Sequence, residues 1–210
     1  MSERDRGLRS VLALPSAFGL LRRVVWSDGS NRRFVTRYIR PRDGDRVLDV
    51  GCGPGHILAY LPRVVYRGID MSEPYIRAAQ HHWRERGTFV CARVGADTLC
   101  DPGTYDIVLA IDVLHHLADE EAVHLLRLAH TALRPGGRLI TKDGCYVEGQ
   151  SIVARYLLSK DRGRYVRTEA QYRALVAQVF SRMTGELRHD LLRIPYTHLV
   201  LECTKGSAAE

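Results

Sequence analysis

The feature that most constrains the fold is a short apolar run that ends in a glycine-rich turn, residues 47–55 (VLDVGCGPG). Gly51, Gly53 and Gly55 have no Cβ, so the backbone can turn sharply there and a ligand can approach the main chain. A buried strand followed by such a turn opens α/β folds that bind nucleotide-like ligands. We therefore expect a parallel sheet with a ligand at its carboxyl edge.

The rest of the chain alternates short β-branched runs with segments of helical periodicity, which is typical of βαβ units. The predicted strands cover residues 46–50, 64–69, 89–94, 105–111, 138–141, 186–193 and 197–204, and the predicted helices cover 56–61, 74–87, 119–133 and 169–180. We predict an α/β fold with a seven-stranded, mostly parallel sheet, an antiparallel last strand and helices on both faces.

A length of 210 residues suits one α/β domain with a small addition. We predict an N-terminal helical cap over residues 1–44, with apolar helical patterns at 8–25 and 31–40. The ligand-binding domain is expected over 45–205, with a basic insertion at about 144–168. No run approaches the ~20 apolar residues that span a bilayer, and no signal peptide is visible, so a cytoplasmic protein is expected. The five cysteines have no C-x-x-C spacing, so no metal site is expected.

The formal net charge of +7 is concentrated in two segments. Residues 1–45 contain ten arginines and five acids, and residues 151–170 contain five basic residues and two acids, so the remainder is nearly neutral. A groove that follows a phosphate backbone would need basic residues through the body of the protein. The distribution favours a basic lid or rim and a small-molecule partner, and it disfavours nucleic acid.

The spacing of the glycines limits the class of ligand that the turn can bind. The dinucleotide fingerprint is G-x-G-x-x-G, whereas here the third glycine comes one residue early and His56 takes the place of the last glycine. Asp49, inside the turn, would repel a diphosphate. It suits a cation such as the ammonium of S-adenosylmethionine, which a carboxylate can hold by charge-assisted hydrogen bonding.

Two further acids follow the next strands. Asp70, in residues 68–72 (GIDMS), can accept both hydroxyls of a ribose. Asp97, in residues 95–98 (GADT), can accept an adenine amino group, or it is a plain loop residue. The expected cofactor is S-adenosylmethionine, and its predicted binding residues are Asp49, Gly51, Cys52, Gly53, Asp70, Met71, Asp97, Thr98, Ala110 and Ile111.

Five motifs in order resemble those of the class I S-adenosylmethionine-dependent methyltransferases: residues 47–55, 68–72, 105–110 (YDIVLA), 113–117 (VLHHL) and 133–139 (LRPGGRL). The resemblance spans about residues 45–142. It implies a Rossmann-like sheet, with the cofactor across the carboxyl ends of the first strands and the methyl acceptor near the ends of the fourth and fifth. The implied activity is methyl transfer to O, N or C of a small metabolite, which could be anionic or aromatic.

The candidate catalytic bases are Asp112, His115 and His116, after the fourth predicted strand. A neutral histidine can accept a proton at cellular pH. Adjacent residues on a helix point roughly 100° apart, so we expect at most one histidine to face the acceptor. The alternative is that the pair only orients its loop.

Five residues of the basic insertion are predicted to bind the substrate. Guanidinium groups and aromatic rings could clamp a carboxylate or phosphate and stack on a ring, although a solvated turn paired with Asp161 and Glu169 is the alternative. The predicted substrate-binding residues are Tyr146, Arg155, Arg162, Arg164 and Arg167.

Alternative functions differ from this one in the motifs and the charge that they require. The sequence lacks an Asn-Pro-Pro-Tyr motif after the fourth strand and a Pro-Cys pair, which leaves a small-molecule acceptor as the favoured class. An RNA methyltransferase, suggested by the sequence pI of about 9.4, and a non-catalytic cofactor-binding module that acts on a partner protein remain alternatives. A nicotinamide oxidoreductase is disfavoured by the early glycine and by Asp49.

Overall fold

The central strands are nearly continuous apolar runs, and successive residues of a strand point to opposite faces of a sheet. The computed structural model describes residues 28–95, 98, 101–161 and 163–206. In it, Leu48 and Val108 lie in one hydrophobic cluster, and their chain neighbours Val47 and Leu109 lie in a second cluster. The sheet is therefore buried on both faces, as expected where helices cover a parallel sheet.

Seven strands form the main sheet in the order β3-β2-β1-β4-β5-β8-β7, and a two-residue strand, β6, pairs with the end of β5. Strand β8 is antiparallel to both of its neighbours, and the other pairings are parallel. The strands are β1 Arg46–Val50, β2 Val65–Asp70, β3 Thr88–Cys91, β4 Tyr105–Ile111, β5 Leu133–Tyr146, β6 Arg167–Thr168, β7 Arg182–Arg188 and β8 His198–Thr204.

The helices cover the two faces of this sheet. They are α1 Asp28–Phe34, which continues as a π-helical turn over Val35–Ile39, α2 Glu73–Trp83, α3 Asp119–Ala132, α4 Ile152–Ser159 and α5 Glu169–Ala177. Short 3₁₀ helices cover His56–Tyr60, Arg84–Arg86 and Leu114–His116. Helices α3 and α5 pack into the cluster of Leu48, whereas α1 and α2 pack into the cluster of Val47.

The predicted α/β class, the mostly parallel sheet and the antiparallel last strand are confirmed. The strand predicted at 186–193 is wrong in position, because β7 is Arg182–Arg188 and Leu191 instead fills the core beyond the strand end. The strand predicted at 138–141 is too short, because β5 covers Leu133–Tyr146, where it pairs with β8 as far as Gly144 and with β6 at its end. Helix α4 lies within the predicted basic insertion at about 144–168, for which the sequence predicts no helix.

The predicted helical pattern at 31–40 corresponds to α1 and its π-helical turn. Arg138 of β5 fixes the end of this turn, where its guanidinium donates to the carbonyl oxygens of Tyr38 at 3.0 Å and Ile39 at 2.6 Å. These bonds satisfy carbonyls that have no partner within a helix. The pattern at 8–25 lies outside the described residues, so the division into a cap and a domain stays a prediction.

None of the described helices is both long enough and apolar enough to cross a lipid bilayer.

Candidate active site

The three glycines of the turn after β1 all adopt left-handed backbone conformations, with φ of 70° at Gly51, 53° at Gly53 and 72° at Gly55. A Cβ on Gly51 would lie 2.6 Å from a methyl carbon of Val113, and one on Gly55 would lie 2.8 Å from Phe89. A Cβ on Gly53 would meet no described atom within 4 Å. Gly51 and Gly55 are therefore needed for packing, whereas Gly53 faces open space that a ligand can enter.

Asp70, at the end of β2, ties its own strand to the glycine turn. One carboxylate oxygen accepts from the backbone N–H of Gly53 at 2.9 Å, and the other accepts from that of Ser72 at 2.8 Å. A carboxylate oxygen has a further lone pair, so each can still accept from a ligand hydroxyl. The side chain is half-buried beside the open space at Gly53.

Asp49 is buried beneath the turn, where the hydroxyl of Tyr66 donates to it at 2.6 Å. Burial raises the pKa of Asp49 to about 7, and the negative charge of Asp70 adds to the increase. Near neutral pH, Asp49 is therefore present in both its charged and its neutral form. A cation placed beside it would favour the charged form.

The other predicted cofactor residues divide into accessible and buried ones. Met71 is exposed at the end of β2, next to Cys91, and Ile111 is half-buried at the end of β4. Ala110 is fully buried in the core, so the prediction that it lines the cofactor pocket is not supported. Cys52 is half-buried against Gly68, Thr98 bonds to the backbone of Gly95, and Asp97 lies outside the described residues.

These residues fit S-adenosylmethionine. The missing side chain of Gly53 leaves space for the ligand, and Asp70 offers acceptors for the ribose hydroxyls of the cofactor. Asp49 offers a carboxylate to the ammonium group of the cofactor. The exposed thioether of Met71 offers an apolar surface at the same edge.

Asp112 directly follows β4 and has a φ of 60°, a left-handed conformation that aspartate tolerates better than most residues. Its carboxylate lies 2.9 Å from the Nζ of Lys142, a buried lysine in β5. Burial alone would raise the pKa of Asp112, but the charges of Lys142, His198 and His115, together with the hydrogen bond from Lys142, outweigh burial and lower it. Asp112 is therefore an ionised partner of Lys142 and a poor candidate base.

His115 is buried, with 4% of its surface exposed, and both ring nitrogens face carboxylates. Nδ1 lies 2.8 Å from Asp143 and Nε2 lies 3.4 Å from Asp161. Burial would lower the pKa of His115, but the hydrogen bonds with Asp143 and Asp161 outweigh it and raise the pKa to about 10. His115 is a cation at neutral pH, so the prediction that it acts as a base is not supported.

His116 has the opposite properties. Its ring is exposed and lies 4.1 Å from that of His115, measured between centroids. Partial desolvation and the positive charge of His115 lower the pKa of His116, so the ring is neutral at cellular pH. Of the three candidates, His116 alone is both accessible and able to accept a proton.

The predicted substrate-binding residues are not brought together. Arg167 is buried, and its guanidinium bonds to Asp119 and to the carbonyl oxygens of Leu114 and Leu117, so it fixes the histidine loop and is not free to clamp a substrate. Arg155 and Arg164 are exposed, and the Arg155 guanidinium lies 5.8 Å from the ring centroid of Tyr146. Arg162 lies outside the described residues.

Sequence reasoning missed the residues that set the charge of the histidine pair. Lys142 and Asp143 directly follow the predicted strand at 138–141, and two ionisable residues at the carboxyl end of a strand were a usable signal. Asp161 and Tyr196 gave no such signal, because the Tyr196 hydroxyl reaches Asp161 across 35 residues of chain. Gly163 packs against the His115 ring, where a Cβ would lie 2.0 Å from a ring carbon.

Two open surface clefts of about 350 and 260 Å³ lie away from these residues. One runs between α1 and strands β7 and β8, and the other lies at the amino ends of β1, β4 and β5. Neither borders the glycine turn, Asp70 or the histidines, so neither is the candidate site.

Residues 47–137 match a family described as "Methyltransferase domain". The matched range contains the glycine turn, Asp70 and both histidines. This part of the chain, less than half of its length, is therefore similar to methyltransferase domains.

Among curated relatives, the chain is similar to a ubiquinone biosynthesis O-methyltransferase of Ralstonia nicotianae, with 35% identity over 104 residues that cover 47% of this chain and 43% of the relative. It is also similar to the mouse N-terminal Xaa-Pro-Lys N-methyltransferase 1, with 30% identity over 131 residues that cover 57% of this chain and 58% of the relative. The matches thus span about half of each relative's length.

The chain also has the fold of the [4+2]-cyclase SpnF, with a TM-score of 0.69 and 17% identity over 86% of this chain and 82% of that chain. At this identity the likeness shows the fold alone. That neighbour is a cyclase, so the fold alone does not define the reaction of this chain, which depends on its own site residues.

Proposed function

We propose that this protein transfers a methyl group from S-adenosylmethionine to a protonated oxygen or nitrogen of a small metabolite, with His116 as the base. An O–H acceptor is favoured by the similarity to ubiquinone biosynthesis O-methyltransferases. The observation that carries the proposal is the contact between the cofactor turn and the histidine loop. Gly51 packs directly on Val113, three residues before the neutral, exposed His116.

The glycine turn and the ends of β1 and β2 would hold the cofactor. Asp70 would accept ribose hydroxyls, Gly53 would admit the ligand to the main chain, and Asp49 would face the ammonium. When bound, S-adenosylmethionine supplies a methyl group on a positively charged sulfur.

The histidine loop would prepare the acceptor. Methyl transfer is an in-line displacement, so the protein mainly has to hold the acceptor in line and close to the methyl carbon. An O–H or N–H acceptor must also lose a proton, and the neutral ring of His116 can take it. The charged ring of His115, held by Asp143 and Asp161, keeps His116 neutral and anchors the loop.

The activity is tested by incubating the full chain with isotopically labelled cofactor and metabolite extracts that contain phenols, other alcohols and amines, and by identifying the labelled product. His116→Ala is then compared with His124→Ala, an exposed histidine on α3. General bases contribute roughly 10²- to 10⁴-fold, so His116→Ala should lower kcat at least ~100-fold and flatten the pH profile. His124→Ala should leave both unchanged.

Two results would contradict the proposal at different levels. If the cofactor binds but no extract yields a labelled product, the enzymatic proposal is wrong, and a cofactor-binding module acting on a partner is favoured. If a product forms but His116→Ala retains the wild-type rate and pH profile, the base is assigned wrongly while the activity stands.

A further inference from the structure

Helix α4 exposes apolar side chains on the face that points away from the protein. Residues one position apart on a helix are separated by about 100°, so Ile152, Val153 and Tyr156 share one face. They are 88%, 55% and 59% exposed, whereas Ala154 and Leu158, on the other side of the helix, are buried. The helix is thus fixed to the protein by one apolar face and presents a second one outward.

Among the described residues, the exposed charged side chains on α4 and in the turn that follows it are all basic. Arg155, Lys160 and Arg164 are exposed. The two acids of residues 151–170 interact with other side chains. Asp161 accepts from the hydroxyl of Tyr196 and faces the ring of His115, and the carboxylate of Glu169 lies 2.8 Å from the guanidinium of Arg173. The structure shows no ion pair between the three exposed cations and any carboxylate of the described residues.

We propose that this surface docks onto an anionic lipid bilayer. The α4 surface is defined as Ile152, Val153, Arg155, Tyr156, Lys160 and Arg164. An apolar helix face among cations is the pattern of interfacial helices, which bury apolar side chains at the headgroup boundary while basic residues attract anionic lipids. Charge complementarity selects a negatively charged bilayer as the occupant of this exposed apolar face.

The docked surface would lie beside the acceptor side of the candidate site. Asp161, two residues beyond the end of α4, reaches the Nε2 of His115, and the backbone N–H of Tyr165 donates to the carbonyl of His115 at 2.9 Å. A bilayer at α4 would therefore border the loop of His116. The lipid contact is a binding property, and it can be measured whether or not the proposed methyl transfer is correct.

The test is co-sedimentation of the full chain with vesicles of phosphatidylcholine alone and of phosphatidylcholine with phosphatidylglycerol. Ile152→Ser with Tyr156→Ser removes outward apolar area, and Arg155→Glu with Arg164→Glu reverses two charges. The matched controls are Val65→Ser, at the start of β2 and 56% exposed, and Arg127→Glu, on the exposed side of α3. Thermal melting and cofactor affinity establish that each variant is folded.

Wild type and both controls should bind the anionic vesicles and sediment weakly with phosphatidylcholine alone. Each basic residue near a membrane contributes roughly a fivefold effect, so reversing two should reduce partitioning more than about tenfold. The apolar variant should also lose partitioning. Three outcomes overturn the proposal: equal sedimentation with both lipids, variants that bind like their controls, or light scattering showing that the α4 surface joins two copies of the chain.

Discussion

Replacement of Gly53 by alanine separates the cost of an unusual backbone conformation from the loss of space for a ligand. Gly53 has a φ of 53°, and its missing Cβ faces open space. Gly44, in the turn before β1, has a φ of 85°, and its missing Cβ likewise meets nothing within 4 Å. The two positions are therefore a matched pair with respect to strain and packing.

The magnitude follows from that geometry. A left-handed conformation costs an L-residue roughly 1–2 kcal/mol, and reduced freedom of the unfolded chain returns about 0.4–1 kcal/mol on replacing glycine by alanine. Both variants should therefore lose about 1 kcal/mol of unfolding free energy. For a chain of this length that lowers Tm by roughly 2–4 °C.

Only Gly53→Ala places a methyl group in the space assigned to the cofactor. Calorimetric titration with S-adenosylmethionine should show at least a ~10-fold weaker Kd for Gly53→Ala, which corresponds to about 1.4 kcal/mol. The Kd of Gly44→Ala should equal that of wild type. If the two variants bind the cofactor equally well while both lose the expected stability, the open space at Gly53 is not the cofactor site.

Three further predictions concern buried charges. Since the pKa of Asp49 is about 7, cofactor affinity should rise from about pH 6 to about pH 8 as the carboxylate ionises, and Asp49→Asn should flatten that dependence in calorimetry; an unchanged slope would contradict its role. His115→Gln should lower the unfolding free energy most below the ordinary histidine pKa. Because the folded-state pKa is raised, the difference from wild type should shrink as the pH rises toward about 10, and a constant difference in urea melts would contradict the charged ring. Arg167→Leu should cost about 3 kcal/mol, because it removes a donor from three carbonyl oxygens, those of Leu114, Leu117 and Tyr165. Asp119→Asn, which changes only the exposed partner of Arg167, should cost less than ~1 kcal/mol. A stable Arg167→Leu with a raised KM would instead support a substrate clamp.

Much of the fold could be predicted because its signals are local. The short apolar runs of β1 and β4 are typical of strands that are buried on both faces of a parallel sheet. The glycine turn could be predicted because its three alternate positions need positive φ. Asp70 could be predicted as a site residue because it ends β2, which is the parallel neighbour of β1, so it lies beside the glycine turn that follows β1. Helix α4 was missed because its apolar residues face outward as well as inward, which hides a single periodic stripe.

The sequence by itself determined where the cofactor turn, Asp70 and the histidine pair stand along the chain. Only the tertiary structure decided which histidine can act as a base. His115 and His116 are chemically identical and adjacent, and they differ because Asp143, from β5, and Asp161, from the segment after α4, both meet the ring of His115. A pKa is set by the charges and burial around a group, and here those charges come from 28 and 46 residues further along the chain.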